Sequence, residues 1–284
     1  QDVDPLADTA PPRHAIESDD EDEYDLPPAQ PKRDQLSIPD VKFIGNFPTK
    51  SPLLLASGVA GEAWARGTNL GQQQGSIYVG GSQVGLLFML PWTHAVVVVS
   101  ETFTRLPLSA MNCYAAAVID RLQPTSISVL DTYSVQGYIS PKVISWDEAP
   151  VRYLSTNAIP ISNPELELFA PPNLLQSTTA SLASNIFWKS LQSTESYVAT
   201  LFLLPSPKLP VQPPTTIKPS SFPPSDHVQW SKKTLQKVHQ WLFDVIGEGE
   251  NVVQWVEKIS GSSGLKTANK GLARGEIGEG GMYI

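Results

Sequence analysis

Histidine and cysteine, the side chains that most often do acid–base, nucleophilic or metal chemistry, are few in this chain and widely scattered along it. Histidines stand at positions 14, 94, 227 and 239 and the single cysteine at 113; their spacing matches no zinc-ligand pattern. Gly80-Gly81-Ser82-Gln83-Val84 comes nearest to a G-x-S-x-G nucleophile elbow but ends in valine. Gly264-Leu265-Lys266-Thr267 carries leucine where a phosphate-cradling loop needs its second glycine. No G-x-G-x-x-G follows a strand, so no cofactor and no metal are expected. His94, between two apolar strands, is expected to be the one partly buried histidine, in a structural role. Cys113 lies in the apolar run Met111–Ala117 and reads as core filling. Asp120-Arg121 and Asp147-Glu148 read as solvated.

The chemistry that remains is recognition. The chain stops in Gly280-Gly281-Met282-Tyr283-Ile284, three large apolar residues after a glycine-rich stretch. Flexible segments normally avoid such residues, which bring no folding benefit when exposed. As a docking peptide, Met282 offers an adaptable apolar side chain and Tyr283 a ring with a hydroxyl. Ile284 carries the free carboxylate, which a lysine or converging backbone N–H groups can capture. The alternative for these three residues is an apolar chain end without a partner, or one folded back onto the body.

A tether has to present them. From Ser260 the sequence turns to Gly-Ser-Ser-Gly and small or charged residues, and random-coil scaling gives such a tail a span of about 25 Å. The folded body behind it is expected over residues 39–259. Leu53–Val59 reads as a buried strand, and Ser76–Val79 and Gln83–Leu90 as a hairpin turned by Gly80-Gly81. Ala95–Ser100 is another buried strand, Leu108–Leu122 a helix stopped by Pro124, and Ser126–Asp131 a returning strand. Val151–Leu154 adds a short strand. Pro171-Pro172-Asn173 is expected to open a helix running to about Leu191, and Ser196–Leu204 to form a further buried strand. A helix beginning at Asp226 places Trp230, Val238, Trp241, Leu242 and Val245 on one side, and Glu250–Ile259 reads as a last short helix. Strand–helix–strand order predicts an α/β fold with a mixed, partly parallel sheet flanked by helices.

The flanks are compositionally distinct. Residues 1–38 are expected to be a disordered acidic segment: Glu17–Asp25 holds seven acids in nine residues. Residues 1–33 hold ten acids and three bases, a net −7 of the chain's −8, so the body is near neutral and lacks the basic footprint of a nucleic-acid binder. Pro205–Pro224, with eight prolines in twenty residues, is expected to be an exposed loop. The longest apolar stretch, Val84–Val99, is broken by Pro91-Trp92-Thr93-His94 and reads as two strands, not a membrane span. One cysteine excludes an internal disulfide framework. A soluble protein of the cytoplasm or nucleus is expected.

A hydrophobic residue, tyrosine and one further residue at the carboxyl terminus are the signature of proteins that dock between α subunits of the proteasome core particle. The chain resembles the fungal proteasome assembly chaperone 1 family over roughly residues 40–284. The likeness rests on Gly85-Leu86-Leu87-Phe88, the strand–helix–strand unit Ala95–Asp131, Ala170-Pro171-Pro172-Asn173, Gln240-Trp241-Leu242 and the Met-Tyr-Ile ending. The acidic segment and the proline-rich loop fall outside it. The resemblance implies a non-enzyme that forms a heterodimer with a second chaperone of related fold. The pair would sit on the α ring of immature core particles, with Met282, Tyr283 and Ile284 in an inter-subunit pocket and the terminal carboxylate on a pocket lysine. It would favour correct ring assembly and block premature regulator binding. Two alternatives stand beside it: a small-molecule enzyme on an α/β fold, and an activator of mature proteasomes.

Overall fold

Leu53-Leu54-Leu55-Ala56 contains no polar residue, a pattern that suits a strand whose two faces are both covered. The computed structural model, which describes residues 39–142, 144–156, 163–192, 198–209, 211–219 and 228–256, meets that condition. The elements in chain order are β1 (Val41–Gly45), β2 (Leu53–Ser57), α1 (Gly58–Gly67), β3 (Gln73–Val79), β4 (Ser82–Met89) and β5 (Val96–Ser100). They continue with β6 (Thr104–Arg105), α2 (Leu108–Leu122), β7 (Ile127–Ser134), β8 (Val151–Ser155) and β9 (Leu166–Leu168). The last are α3 (Thr178–Gln192), β10 (Ala199–Ser206), β11 (Lys218–Pro219) and α4 (Lys232–Val245).

Among the described residues nine strands form one sheet in the order β1-β3-β4-β5-β2-β7-β10-β8-β9. Its centre, β5-β2-β7-β10, is parallel. The β1, β3 and β4 side joins it through antiparallel pairs, and β8 runs antiparallel to β10. The expected mixed, partly parallel sheet flanked by helices is therefore present. Side-chain alternation divides the core: Leu53 and Leu55 face α2 and α3, with Val96, Val98, Val129 and Leu201. Leu54 and Ala56 face α1 and α4, with Val97, Val99, Leu130 and Phe202.

Several expected boundaries held and several moved. The Gly80-Gly81 hairpin is present, with φ of +55° and +86° that only glycine adopts without strain. Helix α2 spans Leu108–Leu122 as expected. The segment after Ser57 is a correction: Val59 belongs to helix α1, not to the strand. Gly61 lies so close to Ala56 that an added Cβ would stand 2.6 Å from its carbonyl carbon and oxygen, and a glycine-rich helix of this kind carries little helical signal. Helix α3 starts at Thr178, not at Asn173. The Asn173 side chain instead bonds the Ile139 N–H and carbonyl, at 2.6 and 3.0 Å. Helix α4 starts at Lys232, because the Ser231 hydroxyl accepts the Thr234 N–H at 3.0 Å as its N-cap; Asp226 lies outside the described residues. Part of the proline-rich stretch is paired, with Pro205 at the end of β10 and Lys218–Pro219 against β6. No helix forms over the described part of Glu250–Ile259: a single 3-10 turn at Gly249–Asn251 is followed by irregular chain to Val256.

Candidate functional site

The three residues expected to dock, Met282, Tyr283 and Ile284, lie outside the described residues, as does the tail from residue 257 and the segment 1–38. What the structure defines is the segment Val252–Val256 that precedes them in the chain. This segment is fastened to α1 and α4 by four hydrogen bonds. Trp255, 2 % exposed, donates its indole N–H to the Trp64 carbonyl at 2.8 Å, and its own carbonyl accepts from Gln236 at 3.2 Å. The Val256 N–H reaches the Gly67 carbonyl at 3.0 Å. Only glycine fits at 67, since a Cβ there would stand 2.0 Å from the Trp255 ring. Two links in the sequence therefore meet here: a helix ending in Gly67 and a tryptophan 188 positions later.

His239 completes the anchorage. Trp64 donates its indole N–H to Nδ1 at 3.1 Å, and Nε2 lies 2.9 Å from the Val253 carbonyl. That pair of contacts selects the neutral tautomer with the proton on Nε2. A proton added to Nδ1 would face the Trp64 N–H donor to donor. Burial accordingly lowers the imidazole pKa to about 4, with the Val253 carbonyl opposing. The expected partly buried histidine is thus corrected: His94 is exposed in the turn after β4, and His239 is 2 % exposed. Its signal was in the sequence, as the apolar stripe Leu235, Val238, Leu242 and Phe243 includes position 239 on the same helix face.

The linkage has a definite sign. The unfolded imidazole titrates near 6.5 and the folded one near 4, so the unfolded chain binds the extra proton first. The contribution of His239 is fully present above pH 6.5 and is lost as the pH falls through about 4. Across that window it is worth about 3 kcal/mol. Urea unfolding of wild type and His239→Gln between pH 4 and 7 should show the difference between them narrowing or reversing as pH falls. Parallel pH profiles would contradict the assignment.

A second polar cluster sits at the carboxyl ends of the central strands, where β5 and β7 flank β2 on opposite sides. This is the switch point at which open α/β sheets commonly hold ligands. Glu101, directly after β5, adopts φ +53°, a left-handed conformation that costs energy in a residue with a Cβ. Its carboxylate accepts from the Leu106 N–H at 3.1 Å and from Ser57 Oγ at 3.4 Å. Asp131, in β7, accepts from Thr179 Oγ1 at 2.5 Å and from the Thr132 N–H at 2.7 Å. Withdrawal from water raises the pKa of both carboxyls, and Asp131 adds repulsion to Glu101. The pair can hold protons more tightly than exposed acids do. It lies on the α2 and α3 face of the sheet, whereas His239 lies on the α1 and α4 face, so the two do not form an acid–base dyad. Neither carboxyl was singled out from the sequence. The usable signal was their position at the ends of the expected strands Ala95–Ser100 and Ser126–Asp131.

The other expected sites resolve simply. Cys113 is half-buried, with Sγ 3.5 Å from the Ser109 carbonyl, so it is a helix-surface residue and not core filling; the core face of α2 is taken by Met111, Tyr114 and Val118. Asp120 is exposed and pairs with Lys189. Among the described residues no group of three or more His, Cys, Asp or Glu side chains could hold a metal, and no helix is long and apolar enough to cross a membrane.

Comparison with known proteins gives matches of structure and none of sequence. No protein-family model and no curated protein matches the chain. Among solved structures, the chain is similar to Pyrococcus furiosus PbaA, described as an archaeal homolog of proteasome-assembly chaperone, at 8 % identity and a TM-score of 0.40 over 59 % of this chain and 77 % of that one. It is similar to Pyrococcus furiosus PbaB, described as an archaeal proteasome activator, at 10 % identity and a TM-score of 0.42 over 59 % and 81 %. A PAC2 family protein from Streptomyces avermitilis matches at 11 % identity and a TM-score of 0.34 over 69 % and 86 %.

Proposed function

We propose that this chain is a proteasome assembly chaperone that acts without catalysis or cofactor, docking Met282-Tyr283-Ile284 into a pocket between α subunits of an immature core particle. The observation that carries the proposal is the chain end itself: an apolar-tyrosine-apolar triplet after two glycines, with Ile284 supplying a carboxylate. The anchorage at Trp255 supports it. A tethered docking peptide gains effective concentration when its linker starts from a fixed point, and Val252–Val256 is fixed to α1 and α4 by the contacts given above. In this account the chain works as a heterodimer with a second chaperone of related fold, in the cytoplasm or nucleus. The folded body supplies the larger part of the contact and the triplet one anchor of it.

The two Pyrococcus furiosus proteins named above are described one as an assembly-chaperone homolog and the other as an activator, so the deciding experiment separates these roles. Full-length chain with its partner chaperone is added to immature core-particle precursors and to mature core particles, with binding followed by native electrophoresis and peptidase activity of the mature particles read in parallel. Preferential binding to precursors with no stimulation of peptidase activity is expected. Stimulation of mature particles by the intact chain, lost on removal of Met282–Ile284, would replace assembly by activation.

A further inference from the structure

A cavity of about 320 Å³ opens between the end of β7, the loop that follows it and β8, with Tyr133, Tyr138, Lys142, Trp146, Pro150 and Arg152 among its walls. Its frame is built rather than incidental. Tyr133 donates its hydroxyl to the Pro150 carbonyl at 2.8 Å, Trp146 its indole N–H to the Pro205 carbonyl at 3.2 Å, and the Tyr138 hydroxyl accepts the Ala170 N–H at 3.2 Å. With these polar tips engaged, the three rings present apolar surface to the space between them.

Arg152 is the group that this arrangement leaves incomplete. It is 5 % exposed, and its guanidinium lies 3.9 Å from the centroid of the Tyr138 ring and 5.5 Å from that of Tyr133. Nη2 pairs with Glu167 at 2.9 Å and Nη1 donates to the Leu168 carbonyl at 3.3 Å. Nε is buried with no hydrogen-bond partner among the described residues, and a buried N–H without a partner is costly. Lys142, exposed at the rim, adds a second positive charge, and no carboxylate is among the lining residues. Glu167 already balances the Arg152 charge, so one unsatisfied buried N–H, the Lys142 cation at the rim and three flat apolar walls define the complement: a carboxylate on an apolar body. The volume is at the small end for ligand sites, enough for one amino-acid-sized group.

We propose that this cavity binds a carboxylate carried on a small apolar or aromatic body, with the carboxylate on Arg152 Nε and Lys142 and the body between Tyr133, Tyr138 and Trp146. The assignment does not depend on the function proposed for the chain terminus. Such a carboxylate comes either from a free small molecule or from the last residue of a polypeptide.

The test titrates the full chain with N-acetyl-phenylalanine and with its neutral amide by calorimetry, beside a tetrapeptide ending in the same residue with a free carboxylate. Saturable binding of the acid, with the amide weaker by roughly tenfold or more, is expected. Lys142→Glu, at an exposed position, should lose binding by a similar factor with an unchanged unfolding midpoint, and Arg152→Lys should lose it although charge is kept. Should Arg152→Lys fail to fold, Lys142→Glu decides alone. Tighter binding of the tetrapeptide than of the acid would support the proposal with a chain terminus as the source, and equal or weaker binding with a free carboxylate. Equal heats for acid and amide, or wild-type binding by Lys142→Glu, would overturn it.

Discussion

Replacing Trp255 with alanine is expected to lower the unfolding free energy by about 3–5 kcal/mol, the usual cost of truncating a buried large aromatic residue. Three losses combine. The ring fills the space that Gly67 leaves open beside α1. Its N–H satisfies the Trp64 carbonyl. Its removal also weakens the strap that holds the Val253 carbonyl on His239 Nε2. Gly67→Ala attacks the same contact from the other side without making a cavity, since the new methyl group would collide with the ring. Overpacking of this kind costs about 1–3 kcal/mol. The two substitutions touch one contact, so the double variant should lose less than the summed single losses. Urea unfolding of the four proteins checks this. A Trp255→Ala variant as stable as wild type would mean that Val252–Val256 is not held to the body in solution.

The second large effect concerns Asp131. Because the folded carboxyl titrates above its ordinary value of 3.8, the folded chain binds the proton more tightly than the unfolded chain does. The contribution of the protonated acid is fully present below the unfolded pKa and is lost as the pH rises through the folded one. Asp131→Asn keeps an acceptor for Thr179 and removes the titration. Its stability relative to wild type should therefore rise as the pH climbs above 3.8 and level off once the folded carboxyl has ionised. At neutral pH the substitution should be neutral or stabilising, where loss of a buried hydrogen-bonding group ordinarily costs about 1–3 kcal/mol. Asp131→Leu, which removes the acceptor for Thr179 Oγ1 and for the Thr132 N–H, should instead be destabilising. A constant difference between Asp131→Asn and wild type at every pH would show that folding does not shift the Asp131 pKa.

These two results rest on residues that differ in how far the sequence revealed them. The four consecutive valines of β5 and the apolar face of α2 are local patterns that strand and helix each make in one way, and both elements fell where expected. Helix α1 was invisible because Gly61 and Gly67 are chosen for what they approach, Ala56 and Trp255, and not for helix propensity. Trp255 falls within Glu250–Ile259, which reads as a short terminal helix. The contacts that make it extended come from α1 and α4, nearly two hundred and about twenty residues away respectively. The carboxyls of Glu101 and Asp131 are visible as letters, but their raised pKa comes from burial among three strands and a helix, with the hydroxyls of Thr178, Thr179 and Ser57 opposing it. The buried Arg152 was likewise read only as part of a short strand. Its partner Glu167 comes from a register between β8 and β9 that no local pattern encodes.

The triplet proposed to dock is the reverse case, read from the sequence alone and outside the described residues. The most direct test of the account is therefore a measured affinity. Calorimetry of the chain, bound to its partner chaperone, against isolated α-ring precursors would compare wild type, Tyr283→Ala and the chain lacking Met282–Ile284. The account predicts a loss of about 2 kcal/mol, roughly thirtyfold in affinity, for Tyr283→Ala and at least as much for the truncation. Partner binding and the unfolding midpoint should stay unchanged in both. Affinity equal to wild type in the truncated chain would contradict it.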